Sequence, residues 1–255
     1  MKTRALGYVL YQGPSLLTGA QIVAIATLRT TNLKTGPMVQ TWILAAEESP
    51  EQAVRSGADE AVCGACPHRH FLNGGCYVVP FQAPRAVWKS WRSGLYREEW
   101  GPEEFAGRRV RLGSYGDPAA VPEEVWQRVL RFAGAHTGYT HQAHRAEFSR
   151  SLLKHLMVSV DTPAAAVKAH AQGLRTYRVK AQSDPLLPGE VLCATELDPM
   201  ADCSRCLMCN GALQKGPSVA IDSHGQRAGR VPAEMRAGKK QLNLQLIPAV
   251  QLETA

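Results

Sequence analysis

Apolar and polar positions alternate early in the chain in a way that predicts β structure. Ile22-Val23-Ala24-Ile25-Ala26-Thr27-Leu28 is a short apolar run rich in β-branched residues. A polar stretch from Arg29 to Pro37, with a Lys34-Thr35-Gly36 turn signal, separates it from Val39-Gln40-Thr41-Trp42-Ile43-Leu44. Two such runs about a polar, glycine-containing loop predict a hairpin. Ser49-Pro50-Glu51 then reads as a helix start, with Ser49 as N-cap and Pro50 at the first helical position. That helix is expected to end near Gly57. A second helix, from about Pro84 to Ser93, carries Val87, Trp88 and Trp91 on one face.

From Arg109 onward the period changes, and short apolar runs alternate with helical patterns. Strands are expected at Val110–Gly113, Gly138–His141, Leu156–Val160 and Leu174–Val179, with Ser218–Ile221 as a fifth. Helices are expected from Pro122 to Ala133, with Val125, Val129 and Phe132 at helical spacing, and from Glu147 to Lys154. Another is expected from Thr162 to Ala171, with Thr162 as its cap and Gly173 as its stop. Strands separated by helical stretches of this length pair in parallel through crossovers. Too few strands are present for an eight-stranded barrel. The expected fold class is therefore α/β, an open parallel sheet or partial barrel, with an N-terminal β-hairpin and cysteine-rich metal-binding loops. A single domain over 1–255 is expected, with β elaboration over 1–60 and a cysteine-rich segment over 193–224. Leu242–Leu246 alternates cleanly and is expected to return as an edge strand, after a loop from His224 to Lys240 rich in Gly, Arg and Lys.

Composition adds two facts. Lys and Arg number 29 against 22 Asp and Glu, a formal charge of +7. That balance fits an anionic partner such as nucleic acid, and fits a merely basic protein equally. No apolar run has the length of a membrane helix, and no long apolar stretch follows the basic residues at the N-terminus, so a cytoplasmic location is expected and no membrane partner.

The cysteines carry the sharper signal. Seven fall in two groups, Cys63-x2-Cys66-x9-Cys76 and Cys193-x9-Cys203-x2-Cys206-x2-Cys209. Short C-x2-C steps put two sulfurs on one turn, where both reach one ion or cluster. Thiolates favour zinc or iron–sulfur centres. Four can close a tetrahedral zinc site or saturate a [4Fe–4S] cube, whereas three leave one position open. His68 or His70 could complete a Cys3His zinc site in the first loop. In the second group the close steps are similar to ferredoxin-type loops.

Functional groups in parallel sheets collect at the C-terminal ends of strands. Ser114, Tyr115 and Asp117 follow the first parallel strand, and Thr140, His141 and Gln142 the second. Ser159 and Asp161 follow the third, Lys180 and Gln182 the fourth, and Asp222, Ser223 and His224 the fifth. Asp117-Pro118 also reads as a turn, Asp161-Thr162-Pro163 as a helix cap and His141 as a core histidine.

Gly13-Pro14-Ser15, the Ile22–Thr27 run, the Cys63–Cys76 loop, Arg111 to Pro122, Gly138-Tyr139-Thr140-His141-Gln142 and the Cys193–Cys209 group together resemble a family of cysteine-rich proteins of bacteriophages and prophages. That resemblance implies a setting, the cytoplasm of a bacterial host, and no particular activity. The chain is more distantly similar to radical S-adenosylmethionine enzymes, which pair a partial α/β barrel with three cysteines holding a [4Fe–4S] cluster, and some of which add a four-cysteine auxiliary cluster. Their loop is C-x3-C-x2-C, whereas this chain has C-x2-C-x9-C. The similarity implies that Cys63, Cys66 and Cys76 hold the reactive cluster and that S-adenosylmethionine is a co-substrate. In that reading Asp117 and His141 face the substrate, and Ser114, Tyr115 and Ser159 contact the cofactor. Cys193, Cys203, Cys206 and Cys209 are expected to form a closed, mainly structural site. The other expectation is a zinc-stabilised nucleic-acid-binding protein of phage replication or host takeover, with Arg230, Arg236, Lys239 and Lys240 among its phosphate contacts.

Overall fold

A computed structural model describes residues 5–230. The expected edge strand at Leu242–Leu246 and the basic residues Arg236, Lys239 and Lys240 lie outside the described residues. Among those described, no helix is long and apolar enough to cross a membrane.

The chain forms a mixed α/β fold around one nine-stranded sheet. Its strands are β1 (Gly7–Pro14), β2 (Gln21–Thr27), β3 (Val39–Ala45), β4 (Arg109–Tyr115), β5 (Ala135–Thr140), β6 (Met157–Val160), β7 (Thr176–Lys180), β8 (Glu190–Leu192) and β9 (Ser218–Asp222). They lie in the order β1-β2-β3-β4-β5-β6-β7-β9-β8. The β1–β2 and β2–β3 pairs are antiparallel, and every pair from β3 to β8 is parallel. The expected hairpin is thus present as β2–β3, with β1 added as a third strand. β3 is the hinge of the topology, antiparallel to one neighbour and parallel to the other.

Helices α1 (Pro50–Ser56), α2 (Glu60–Cys63) and α3 (Ala83–Arg92) connect β3 to β4; α4 (Glu123–Leu130) connects β4 to β5; α5 (Pro163–His170) connects β6 to β7. Local chemistry sets their ends. Pro50 opens α1, Gln52 Oε1 accepts from the Ser49 N–H at 3.2 Å, and Gly57 closes the helix with a left-handed φ of 92°. Thr162 Oγ1 accepts from the Ala165 N–H at 3.1 Å at the start of α5, as its sequence position predicted. The stretch read as a helix from Glu147 to Lys154 is instead a 3-10 turn over Arg150–Lys154. α4 ends at Leu130, so Phe132 lies beyond it and is exposed, while Trp126 is fully buried.

Period-2 alternation gives the parallel sheet two unlike faces. In β4, Val110 and Leu112 join the main core with Ile22, Ile25, Ile43, Phe105 and Trp126. Arg111, between them, points the other way. Its neighbours there are Tyr139 of β5 and Tyr177 of β7, and Met157 and Val219 pack with these tyrosines, Cys193 and Cys209. One face is therefore apolar and covered by helices. The other is aromatic and polar, and faces the cysteines.

Candidate functional site

The first cysteine loop sits over the C-terminal ends of β4, β5 and β6. Gln142, fully buried just after β5, fastens it there. Its Oε1 accepts from the Ala65 N–H at 3.1 Å, and its Nε2 donates to Cys63 O at 3.0 Å and to Asp117 Oδ2 at 3.3 Å. Gly64 makes this approach possible: its φ is 54°, and a Cβ there would lie 2.4 Å from Gln142 Oε1. A second tie comes from Arg69, whose buried guanidinium bonds Asp59 at 2.6 Å and Gly64 O at 3.2 Å.

This curl brings Cys63, Cys66 and Cys76 together. All seven cysteines are free. Burial pushes the Cys63 thiol well up, reinforced by the neighbouring Cys66 and Cys76. Burial likewise raises Cys76 to about 11, with Cys66 adding to it. Nucleophilic cysteines have depressed pKa values.

Beside the loop lie three residues from three separate parts of the chain. His68 Nε2 is 2.7 Å from Asp161 Oδ1, and His141 Nε2 is 3.3 Å from the same oxygen. The two rings stand edge to face with centroids 5.6 Å apart. One ligand atom from each of His68, His141 and Asp161 lies within 4.8 Å of the others. Cys66 lies beside His141 as well. Burial works against both charged forms, yet the pairing wins. Cys66 and Asp161 raise His141 well above the usual imidazole value, and the two histidines hold Asp161 far below the carboxylate range.

The second cysteine group forms the opposite wall. Cys193 follows β8, Cys203 and Cys206 occupy a single-turn helix (Cys203–Cys206), and Leu207, with a left-handed φ of 53°, reverses the chain toward Cys209. Cys203 feels Cys193 and Cys206, and Cys209 feels Cys193 and Cys203. Burial lifts Cys209 to about 12 and raises Cys203, against the opposing pull of Arg111. Backbone bonds from Cys203 N to Lys34 O (2.9 Å) and from Ser204 N to Thr35 O (3.2 Å) dock this segment on the β2–β3 loop. Among the described residues, His68, His141 and Asp161 are the one such close group of potential ligands, and no trio of cysteines joins them.

Between the two groups lies open space. An inner cavity of about 170 Å³ is lined by the first three cysteines, His68, His141, Asp161, Ser159 and Arg111 among others. An outer cavity of about 730 Å³ reaches Cys193 and Cys203. Both are bordered by Tyr77, Arg111, Ser114, Tyr139, Tyr177 and His224.

The strand-end residues named from the sequence divide in role. His141, Ser159 and Asp161 meet at the inner cavity. Ser114 also borders it, and donates to Gln40 Oε1 at 2.5 Å. Tyr115 and Asp117 reach the cavity but are buried. Asp117 accepts from the N–H groups of Ala119 (3.0 Å) and His141 (2.8 Å) as well as from Gln142, and burial raises its pKa despite these bonds. It caps a turn and joins two loops. Asp161 likewise lies just before a helix cap but spends its carboxylate on the histidines. Lys180 and Asp222 pair with each other at 2.5 Å. His70 turns aside to Val78 O at 2.8 Å.

No known protein family, curated protein or solved structure matches this chain.

Proposed function

We propose that this chain is an iron–sulfur protein with two centres facing one cavity, and that it acts as an enzyme of the radical type. The observation that carries the reading is that Cys63, Cys66 and Cys76 border an inner cavity at the strand ends, next to an outer cavity bordered by Cys193 and Cys203 of the second group. The donor set is all thiolate, which suits iron–sulfur clusters and zinc alike. The cluster is preferred because three cysteines border the inner cavity and leave one position open to it, whereas a structural zinc site is closed.

Three sulfurs at the inner cavity leave one position open to a ligand from that cavity, and four at the outer wall leave none. When bound, the first centre would supply reducing electrons to a ligand such as S-adenosylmethionine. The chain's own residues then have separate tasks. Gln142, Gly64 and Arg69 fix the loop. Asp161 orients His68 and His141 and keeps a proton on the imidazole nitrogen of His141 beside Cys66. Ser114 and Ser159 offer hydroxyls to a ligand, and the half-buried rings of Tyr139 and Tyr177, with centroids 4.2 Å apart, form an aromatic wall beside it.

The test is elemental. Protein purified without oxygen should be brown and contain iron and sulfide in equal amounts, about eight of each per chain if both centres are four-iron cubes. After chemical reduction it should cleave added S-adenosylmethionine. Colourless protein with stoichiometric zinc and no sulfide overturns the reading, and zinc with salt-sensitive DNA or RNA binding would put a nucleic-acid role in its place.

A further inference from the structure

Five Arg and Lys side chains are buried among the described residues: Arg69, Arg111, Arg175, Arg178 and Lys180. Burying a cation is costly unless it is paired. Four of the five are paired well. Arg69 has Asp59 at 2.6 Å, Arg178 has Glu190 at 2.6 Å, and Lys180 has Asp222 at 2.5 Å. Arg175 is held by the carbonyls of Met208 (2.6 Å), Pro217 (2.9 Å) and Gly211 (3.2 Å) and by Asn210 Oδ1 (2.8 Å).

Arg111 differs. Only 8% of it is exposed, yet among the described residues it has neither a carboxylate nor a carbonyl partner. Its partners are the phenols of Tyr139 and Tyr77, at 3.4 and 3.3 Å, and the sulfur of Cys203 at 4.0 Å. These contacts are long, and two of the three are to neutral oxygens. The guanidinium also borders both cavities, at their junction.

We propose that Arg111 is the anchor for an oxyanion on the substrate, a carboxylate or a phosphate, drawn into the cavity between the two cysteine groups. The missing counter-charge arrives with the ligand. A planar guanidinium matches either group through two parallel N–H···O bonds. Tyr77 strengthens the site, because its phenol accepts from Arg111 and keeps its own proton to donate to the bound anion, whereas the Tyr139 hydroxyl is engaged with Cys209. The stacked rings of Tyr139 and Tyr177 form an apolar wall beside it, and the outer cavity has the volume of a small-metabolite site. The proposal rests on the previous reading in treating this cavity as the substrate site, but anion capture itself requires no metal. The rival role for Arg111 is to neutralise the thiolates of the second group.

The full chain with its metal centres is titrated with inorganic phosphate and, separately, with benzoate, at constant pH and ionic strength, by calorimetry. Saturable binding of one probe is expected, and which one binds tells phosphate from carboxylate. Arg111→Gln should weaken that binding by at least about tenfold, and Tyr77→Phe by roughly threefold to tenfold through loss of one hydrogen bond. Binding to neither probe overturns the proposal, as does an adventitious ion only, recognised by Arg111→Gln binding as tightly as the unchanged protein. Should Arg111→Gln fail to fold, Tyr77→Phe decides, and unchanged affinity there is equally fatal. If Arg111→Gln instead sheds metal from the second group while neither probe binds the unchanged protein, the neutralising role is correct. A chain that holds no iron but still binds the probe through Arg111 refutes the iron–sulfur reading and leaves this one standing.

Discussion

Replacing Gln142 with leucine tests whether the first cysteine loop is positioned by a single amide. Leucine is close in volume and cannot hydrogen-bond. The substitution strands the Ala65 N–H and the Cys63 carbonyl and removes one donor from Asp117, three bonds of 3.0 to 3.3 Å. At roughly 0.5–1.5 kcal/mol net for each bond, the loss amounts to about 2–4 kcal/mol. For a domain of this size that is a fall in Tm of roughly 5–15 °C. Urea unfolding of the reduced, metal-free chain measures it, and the midpoint should drop with an unchanged slope, since the surface exposed on unfolding is the same. The iron-loaded chain should lose the first centre selectively, because Cys63 lies at the released end of the loop. Gln142→Glu is the sharper control. Its carboxylate can still accept from Ala65 but cannot donate to Cys63 O, and it meets Asp117 as a like charge, so it should be no better than leucine. A Gln142→Leu protein with the normal urea midpoint and full iron content would refute the clamp.

Asp161→Asn in the metal-free chain should lower the pKa of His141, read by histidine NMR titration. The pairing that depresses Asp161 stabilises the fold above the unfolded carboxyl value and fades as pH falls, while the raised His141 value stabilises below the unfolded imidazole value and fades as pH rises. The stability gap between the two proteins should therefore peak between about pH 4 and pH 6.5. Glu190→Ala leaves the buried Arg178 with only the Pro185 carbonyl and should cost about 3–5 kcal/mol in chemical denaturation, whereas adding Arg178→Met should restore much of the loss; equal stability of single and double variants would contradict this. Cys206→Ser should lose the second centre and open 194–216 to proteases, and Cys66→Ser should leave that segment protected, so an unchanged metal content and digest for Cys206→Ser would break the assignment of the four cysteines to one site.

Much of the parallel sheet is legible in the sequence because its strands are short β-branched runs bounded by turn residues. β8 is not, since three residues beginning with Glu190 make no run, and that glutamate is buried only because Arg178 waits for it across two strands. β1 hides behind its bulge between Val9 and Tyr11 and its Gly13-Pro14 end. The reversal of direction at β3 leaves no local trace, because an apolar strand looks the same whichever way its neighbour runs. The site divides along similar lines. Grouped cysteines announce themselves by spacing. The contact of His68 with Asp161 spans 93 residues, and only the fold brings them together. Gln142 stood in a noted strand-end motif, but no pattern distinguishes an amide that clamps a loop from one in solvent. Arg111 alternates correctly with Val110 and Leu112, and its unpaired state is visible only when every neighbour is known.

The docking of Cys203 and Ser204 onto Lys34 and Thr35 sets an order of events. Those bonds join positions about 169 residues apart, and contacts of such long range form late, after the entropy of closing the intervening chain has been met. During synthesis the hairpin emerges first and waits, its loop carbonyls open to water, until almost all of the described chain has followed. The first cysteine loop meets Gln142 and Asp161 soon after β5 and β6 are made, but its bond from Arg227 to Gly74 O (2.8 Å), like the seat of the second group, forms only when the far end of the chain folds back. If both cysteine groups hold metal as proposed, metal delivered early would meet the first group before the second exists, and a chain cut short before Cys203 would carry the first without the wall that encloses it.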